Sequence, residues 1–213
     1  MGTSFRATRP IRLLVADDHP IVRQGLIAVL DDQEDMEVVA QANNGREAIA
    51  QFRQHQPDVA ILDLQMPEVK GVEAIAAIRR EFPDACIIMF TIYDTDEDIY
   101  QGLRAGARAY LLKDTPLEEI MEVIRAVCEG SRYIPNSISE KYITHSERPQ
   151  LSERERQVLA LLATGKNNKA IGAALGVTEH TIRFHVTNLT IKLGASDRTD
   201  ALVIAMRRGL IHF

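Results

Sequence analysis

Ile11-Arg12-Leu13-Leu14-Val15-Ala16 runs straight into Asp17-Asp18-His19-Pro20, and that junction decides the fold. A short apolar run without period-2 alternation is what a strand needs when both faces of its sheet are covered, as in parallel sheets. Four more such runs follow, at Met36–Ala42, Val59–Leu62, 86–92 and Ala109–Leu112. Segments of helical length separate them, at residues 20–30, 45–55, 72–81, 96–105 and 116–129. Five βα repeats predict an α/β domain, a doubly wound five-stranded parallel sheet. In the last repeat Thr115 reads as N-cap, Pro116 as first helical residue and Glu118 as the third residue after the cap, with Gly130 as the stop.

Beyond Gly130 the pattern changes. Residues 131–148 are polar, carry Pro135, and read as a linker with one helical turn near 137–143. From 149 onward no strand is expected. Ser152 and Glu155 form a capping box for a helix ending at Gly165, a short helix spans 168–175 before Gly176, Thr178 caps a third reaching Leu193, and a fourth runs over 198–208. The expected domains are therefore 9–130, a linker at 131–148, and a small all-α domain at 149–213. A chain of 213 residues with 46% hydrophobic and 26% charged residues has the composition of a globular protein, not of a disordered or disulfide-dense one. Cys86 and Cys128 form no CxxC pair and read as buried thiols, which leaves no disulfide framework and no zinc site. No apolar run approaches the ~18 residues of a membrane span, and residues 1–10 lack the apolar stretch of a signal peptide, so a cytoplasmic location is expected. The net charge of -5 hides two halves: residues 1–130 hold 13 Lys+Arg against 23 Asp+Glu, and residues 151–213 hold 9 against 5. A basic tail on an acidic body points the tail towards a polyanion such as nucleic acid.

Ligands of open parallel sheets bind beyond the carboxyl ends of the strands. There stand Asp17 and Asp18 after the first strand, Asp63 after the third, Thr91 on the fourth and Lys113 after the fifth. Converging carboxylates suit Mg2+, which keeps waters for a phosphate, and Asp63 is the best-placed nucleophile towards phosphorus, with Lys113 and Thr91 holding phosphoryl oxygens. Taken singly, each acid would as readily cap the helix that follows it. Together, Val15-Ala16-Asp17-Asp18-His19-Pro20, Leu62-Asp63-Leu64-Gln65-Met66-Pro67 with Gly71, Thr91, and Tyr110-Leu111-Leu112-Lys113 resemble the receiver domain of two-component response regulators, a flavodoxin-like fold. The resemblance implies that Asp63 is the phosphoacceptor, that Asp17, Asp18, Asp63 and the Gln65 carbonyl hold Mg2+, that Lys113 contacts the phosphoryl group, and that Thr91 with Tyr110 reports the modification. Lys70 departs from the family, which usually places a smaller polar or acidic residue before the glycine. His19, ahead of Pro20, reads as a loop histidine.

Residues 168–193 have the spacing of a helix-turn-helix around Gly176. Projected at 100° per residue, the longer helix puts Ile182, Val186, Leu189 and Leu193 on one stripe and leaves His180, Arg183, Phe184, Thr187, Asn188 and Ile191 on the other. An arginine for guanine edges and an aromatic for thymine methyls suit a major groove, with Lys169, Thr181 and Lys192 flanking as phosphate contacts. Leu151-Ser152-Glu153-Arg154-Glu155-Arg156-Gln157-Val158-Leu159, Asn168-Lys169-Ala170-Ile171, Thr181-Ile182-Arg183-Phe184-His185-Val186-Thr187-Asn188-Leu189 and Lys192-Leu193-Gly194 resemble the LuxR-type DNA-binding domain. Ala170 stands where that family has glutamate and Gly172 where it has alanine. A glycine inside a helix costs about 1 kcal/mol against alanine, so a loosened first helix and weaker or more inducible DNA binding are expected.

The whole chain thus resembles a NarL/FixJ-type transcriptional response regulator, not an enzyme. The resemblance implies a sensor histidine kinase as phosphodonor, double-stranded DNA as target, a homodimer when phosphorylated, and RNA polymerase as a further partner. Two rivals stand beside it. A phosphohydrolase working through an aspartyl phosphate would also use an Asp at a strand end, but such enzymes usually carry a second acid two residues on, where this chain has Gln65. A phosphorylation-independent transcription factor would use the first domain for dimerisation alone.

Overall fold

A computed structural model describes residues 9–92, 95–136, 138–139, 142–143 and 149–211. The chain divides into two compact units. In the first, β1 (Ile11–Ala16), β2 (Met36–Ala42), β3 (Val59–Leu62), β4 (Cys86–Thr91) and β5 (Ala109–Leu112) alternate with α1 (Pro20–Asp31), α2 (Gly45–His55), α3 (Gly71–Glu81), α4 (Asp96–Ala105) and α5 (Leu117–Cys128). The strands form one sheet in the order β2-β1-β3-β4-β5, with every pairing parallel. The order reverses direction between β1 and β3, which makes the carboxyl ends of those two strands the crevice where ligands bind in open sheets.

Apolarity on both faces of β1, β3, β4 and β5 follows from this sandwich, whereas the edge strand β2 exposes Glu37 and Gln41. Leu13, Val15, Val59, Ile61, Ile88, Phe90, Ala109 and Leu111 pack with Leu26 and Leu30 of α1 and Ile120, Val123, Ile124 and Val127 of α5. Their alternates Leu14, Leu62, Ile87, Met89 and Tyr110 are fully buried as well, as are Ala48, Ile75 and Ile78 on α2 and α3. At about 1.5–3 kcal/mol for each large apolar side chain withdrawn from water, the two layers dominate the stability of this unit. Past α5 the chain returns to the sheet edge: Tyr133 donates its N–H to Arg108 O and accepts from the Tyr110 N–H, and its hydroxyl meets Glu119.

Local departures from the sequence reading have physical causes. The cap expected at Thr115 is absent: Thr115 N–H closes a turn onto Leu112 O, so the helix starts later, at Leu117 behind Pro116 (φ −55°, ψ 142°), with no side-chain cap. Glu118 and Glu119 in the first turn face its positive end instead. β4 stops at Thr91, and Ile92 is exposed. Cys86 and Cys128 are half-buried free thiols packed on the edge of the apolar cluster, not fully buried ones. The helical turn expected at 137–143 falls partly on residues outside those described.

The second unit holds α6 (Glu153–Ala163), α7 (Asn168–Leu175), α8 (Glu179–Leu193) and α9 (Arg198–Arg207). Ser152 and Glu155 close the expected capping box, Asn167 caps α7, Thr178 caps α8 and Asp197 caps α9. Gly176 and Gly194 take left-handed φ of 66° and 69° to end α7 and α8. Val158, Leu159, Leu162, Ile171, Ile182, Leu189, Leu193, Ala201 and Ala205 form its core. Among the described residues no helix is long and apolar enough to cross a membrane.

Candidate functional site

The ends of β1, β3, β4 and β5 deliver Asp17, Asp63, Thr91 and Lys113 to one place. Asp17 and Asp63 are buried to 3% exposure each and Thr91 to 0%. Lys113 Nζ lies 2.7 Å from Asp17 Oδ2 and 2.7 Å from Asp63 Oδ2. Asp63 Oδ1 accepts from the Leu64 N–H at 2.6 Å, and the Thr91 side chain hydrogen-bonds the same carboxylate. Asp17 Oδ1 accepts from the His19 N–H at 2.8 Å. Asp18 and His19 stand at the rim, and ligand atoms of Asp17, Asp18, His19 and Asp63 all lie within 4.8 Å of one another. Gln65, half-buried, is two residues beyond Asp63.

Gly71 makes this geometry possible. A Cβ there would sit 2.0 Å from the Asp63 carbonyl oxygen, and the Gly71 N–H donates to Leu64 O at 2.8 Å, so the loop folds tightly back under the acid. Lys70, the departure from the receiver pattern, is exposed and serves as N-cap of α3 without a side-chain hydrogen bond. Nothing in the structure gives its ammonium a role in the cluster.

Charge is unbalanced at the site. Burial raises the Asp63 carboxyl above the usual range, Lys113 works against this and the neighbouring Asp17 adds to it. Burial acts to lower the Lys113 ammonium, but its bonds to Asp17 and Asp63 prevail and hold it above its ordinary value. At ~4 Å and an effective dielectric near 20, two like charges repel by about 4 kcal/mol. One ammonium does not neutralise three carboxylates, and a divalent cation beside it would complete the balance. The donors fit Mg2+: hard carboxylate oxygens, and an Asp18 Oδ1 that is buried, 2.8 Å from His19 Nδ1, yet accepts no well-formed hydrogen bond from the described residues.

Tyr110, fully buried on β5, is two residues past Arg108 and three before Lys113, its backbone N–H tied to Tyr133. Sequence reasoning passed over Arg23, whose Nη1 donates to the Asp17 carbonyl at 2.6 Å. Its only signal was a cation one turn into a helix that starts at the acidic loop.

In the tail, α8 presents the expected face. Arg183, Phe184 and Thr187 are exposed, Phe184 at 61% and Ile191 at 71%, while Ile182, Leu189 and Leu193 are buried. Arg183 meets Glu179 at 3.4 Å, a long surface contact worth little. Thr181 shares its hydroxyl with the cap residue Thr178, Thr187 Oγ1 donates to Arg183 O, and Asn188 is half-buried. Lys169 is exposed on α7. Lys192 is the exception to the expected phosphate contacts: its Nζ is 2.8 Å from Glu155 Oε2 and 3.2 Å from Gln150 O, so a buried acid already holds it. Gly172 also differs from expectation. It is buried at the turn, accepts from the Val177 N–H, and a Cβ on it would come 2.7 Å from Val177 O, so glycine here tightens the motif.

A parallel sheet with an acid pocket clasped by lysine, followed by a helical unit with an exposed helix-turn-helix, defines a two-unit, signal-responsive DNA-binding regulator. Comparison with known proteins narrows this. Residues 13–125 match the response regulator receiver domain, and residues 149–205 match the bacterial regulatory proteins of the luxR family. The chain belongs to the two-component response regulators that join a receiver to a LuxR-type DNA-binding domain. It is 39% identical over 210 residues to the transcriptional regulatory protein LiaR of Bacillus subtilis, covering 95% of this chain and 100% of LiaR. It is 39% identical over 209 residues to the transcriptional regulatory protein YhcZ of the same organism, covering 94% and 97%. Among solved structures, RcsB of Salmonella enterica serovar Typhimurium, bound to a promoter in the presence of phosphomimetic BeF3−, matches with a TM-score of 0.69 at 25% identity over 94% of this chain and 100% of that one.

Proposed function

We propose that a sensor histidine kinase phosphorylates Asp63 and that the new charge switches DNA binding or dimerisation of the LuxR-type tail. The observation that carries this is the single ammonium of Lys113 spanning Asp17 and Asp63 at 2.7 Å each, which holds a buried aspartate at a strand end among unbalanced carboxylates. An Asp63 carboxylate oxygen forms the new P–O bond as the P–N bond of a phosphohistidine breaks, and the bonding electrons return to an imidazole that leaves neutral, its other nitrogen protonated. Asp17, Asp18, Asp63 and the Gln65 carbonyl would hold Mg2+, which when bound neutralises charge on the transferred oxygens. Lys113 and Thr91 bind phosphoryl oxygens. Thr91, drawn towards the phosphoryl group, opens space that Tyr110 follows, and the receiver surface changes.

Phosphorylation adds roughly -1.5 to -2 charge. The effect on DNA follows from the differential affinity of that charge for the two receiver states. Two tails then engage half-sites of double-stranded DNA about one helical turn, or a multiple of it, apart. Lys169, Thr181, Arg183, Phe184, Thr187 and Asn188 make the contacts. The functional division is 9–130 for the receiver, 131–148 for the linker and 149–213 for DNA binding. The protein acts in the cytoplasm as a homodimer when phosphorylated, with RNA polymerase as a further partner, and turns over no substrate of its own.

The test combines labelling with selection. Wild-type protein given a competent phosphodonor acquires an acid-stable, base-labile label that Asp63→Ala lacks, and the label raises affinity for sequences selected from random DNA. If BeF3− with Mg2+ changes neither oligomeric state nor DNA affinity, the phosphorylation-independent reading replaces this one.

A further inference from the structure

We infer that Arg23 is a positioning residue for the divalent-cation site: its guanidinium fixes the backbone of Asp17 and thereby sets how tightly the acidic pocket takes Mg2+. This rests on the metal-binding role proposed for Asp17.

The connection from β1 to α1 is only three residues, Asp17, Asp18 and His19, before Pro20 begins the helix. The backbone of Asp17 therefore governs where two of the carboxylates point. Each polar atom of Asp17 is tied down. Its N–H donates to Ala42 O at 3.2 Å, Oδ1 accepts from the His19 N–H at 2.8 Å, and Oδ2 meets Lys113 at 2.7 Å. The carbonyl is held by Arg23 Nη1 at 2.6 Å. Of these ties, Arg23 supplies the one from a charged side chain that is not itself part of the phosphoryl site. The helix geometry explains the reach: Arg23 N–H donates to His19 O, placing the residue one turn into α1, and helical side chains lean back towards the N-terminus, here onto the acidic loop.

A purely packing residue would not look like this. Arg23 is half-buried, and its Nε is buried without a hydrogen-bond acceptor among the described residues. An unmade donor on a guanidinium opposes folding, so its presence calls for an explanation beyond stability. The short, charge-assisted bond to Asp17, placed beside a pocket with more carboxylates than cations, supplies that explanation. Residues that orient metal ligands from behind change metal affinity about 10–100-fold when removed.

Calorimetric titration of the full chain with Mg2+ alone decides the matter, alongside metal-free thermal unfolding. Arg23→Ala is expected to weaken Mg2+ binding at least about tenfold while the receiver still melts cooperatively without metal. With a small phosphodonor, the Mg2+ concentration needed for half-maximal phosphorylation rises in step, and the rate at saturating Mg2+ stays close to wild type. Unchanged Mg2+ affinity in folded Arg23→Ala overturns the inference. Should that variant fail to fold, Arg23→Lys decides, because it keeps the charge but loses the planar fork: several-fold weaker Mg2+ binding supports positioning, and wild-type affinity refutes it. Wild-type protein that binds no Mg2+ at all would instead remove the metal-site reading itself.

Discussion

Lys113, just past β5, and Lys192, in the last turn of α8, each approach a buried carboxylate, at 2.7 Å from Asp63 and 2.8 Å from Glu155. The surroundings differ in charge. Lys113 shares its ammonium between Asp17 and Asp63 with Asp18 close by, so acid remains in excess. Lys192 faces one carboxylate and the Gln150 carbonyl, and Glu155 in turn accepts from the Ser152 N–H, so that corner is neutral and complete. Sequence alone sends both lysines to phosphate. The fold separates the two: one ion pair is left short of cations, whereas the other is balanced and fastens α6 to α8.

The largest effect should come from breaking the unbalanced pair. Lys113→Gln leaves two buried carboxylates facing each other, and removing one partner of such a pair costs about 3 kcal/mol or more. Denaturant midpoints without divalent cation should fall accordingly, and Mg2+ should restore more stability to the variant than it adds to wild type. Equal gains from Mg2+ in both proteins would mean that the pocket carries no excess of acid.

The balanced pair should respond to pH and not to metal. Burial works to raise the Glu155 carboxyl, but hydrogen bonds from Lys192 and Ser152 outweigh it and hold the group below its ordinary value of 4.5. A depressed folded-state value stabilises above the unfolded one and is lost as pH falls through the folded one. Glu155→Gln should therefore destabilise the tail by about 2 kcal/mol near neutrality, and the gap to wild type should narrow as pH drops below about 4.5. A gap that is constant down to strongly acidic pH would show that packing, not charge, holds Lys192.

DNA titrations distinguish free cations from fastened ones. Lys169→Ala should flatten the slope of log affinity against log salt by about 1 and weaken all sites alike, whereas Lys192→Gln should leave the slope unchanged. Arg183→Ala should relax preference at one base by about 1–2 kcal/mol. If Lys192→Gln flattens the slope as Lys169→Ala does, its pairing with Glu155 gives way to phosphate and the contrast with Lys113 fails.

The legible parts share a physical character. The inner strands stood out because a doubly covered parallel sheet leaves no polar alternation there, and Asp17, Asp63 and Lys113 stood out because strand ends are the one place in such a sheet where charge collects. Caps at Ser152 and Thr178 were legible because they act within a turn or so of the chain. Glu155 and Lys192 are 37 residues apart, and their bond depends on how two helices pack. The Thr115 cap was overridden by a turn at the end of β5, and Arg23 was hidden because its partner is a backbone carbonyl, which leaves no mark in the sequence. Local rules are written in neighbouring letters, and tertiary ones are not.

Gly172 isolates that difference at the smallest scale. Helix propensity alone says that Gly172→Ala in α7 should stabilise the tail by about 1 kcal/mol. The fold says the reverse, because the new methyl would lie 2.7 Å from the Val177 carbonyl oxygen, a backbone atom that the turn into α8 holds in place. We expect a net loss of about 1 kcal/mol, since crowding of this kind typically costs about 1–3 kcal/mol and propensity offsets part of it. Gly25→Ala in α1 is the control: its Cβ would meet nothing within 4 Å, so propensity should act there unopposed. Thermal unfolding of the two variants should move in opposite directions, down for Gly172→Ala and up for Gly25→Ala. A rise in both would mean that the turn yields, and that the helix-turn-helix is less tightly fixed than its core suggests.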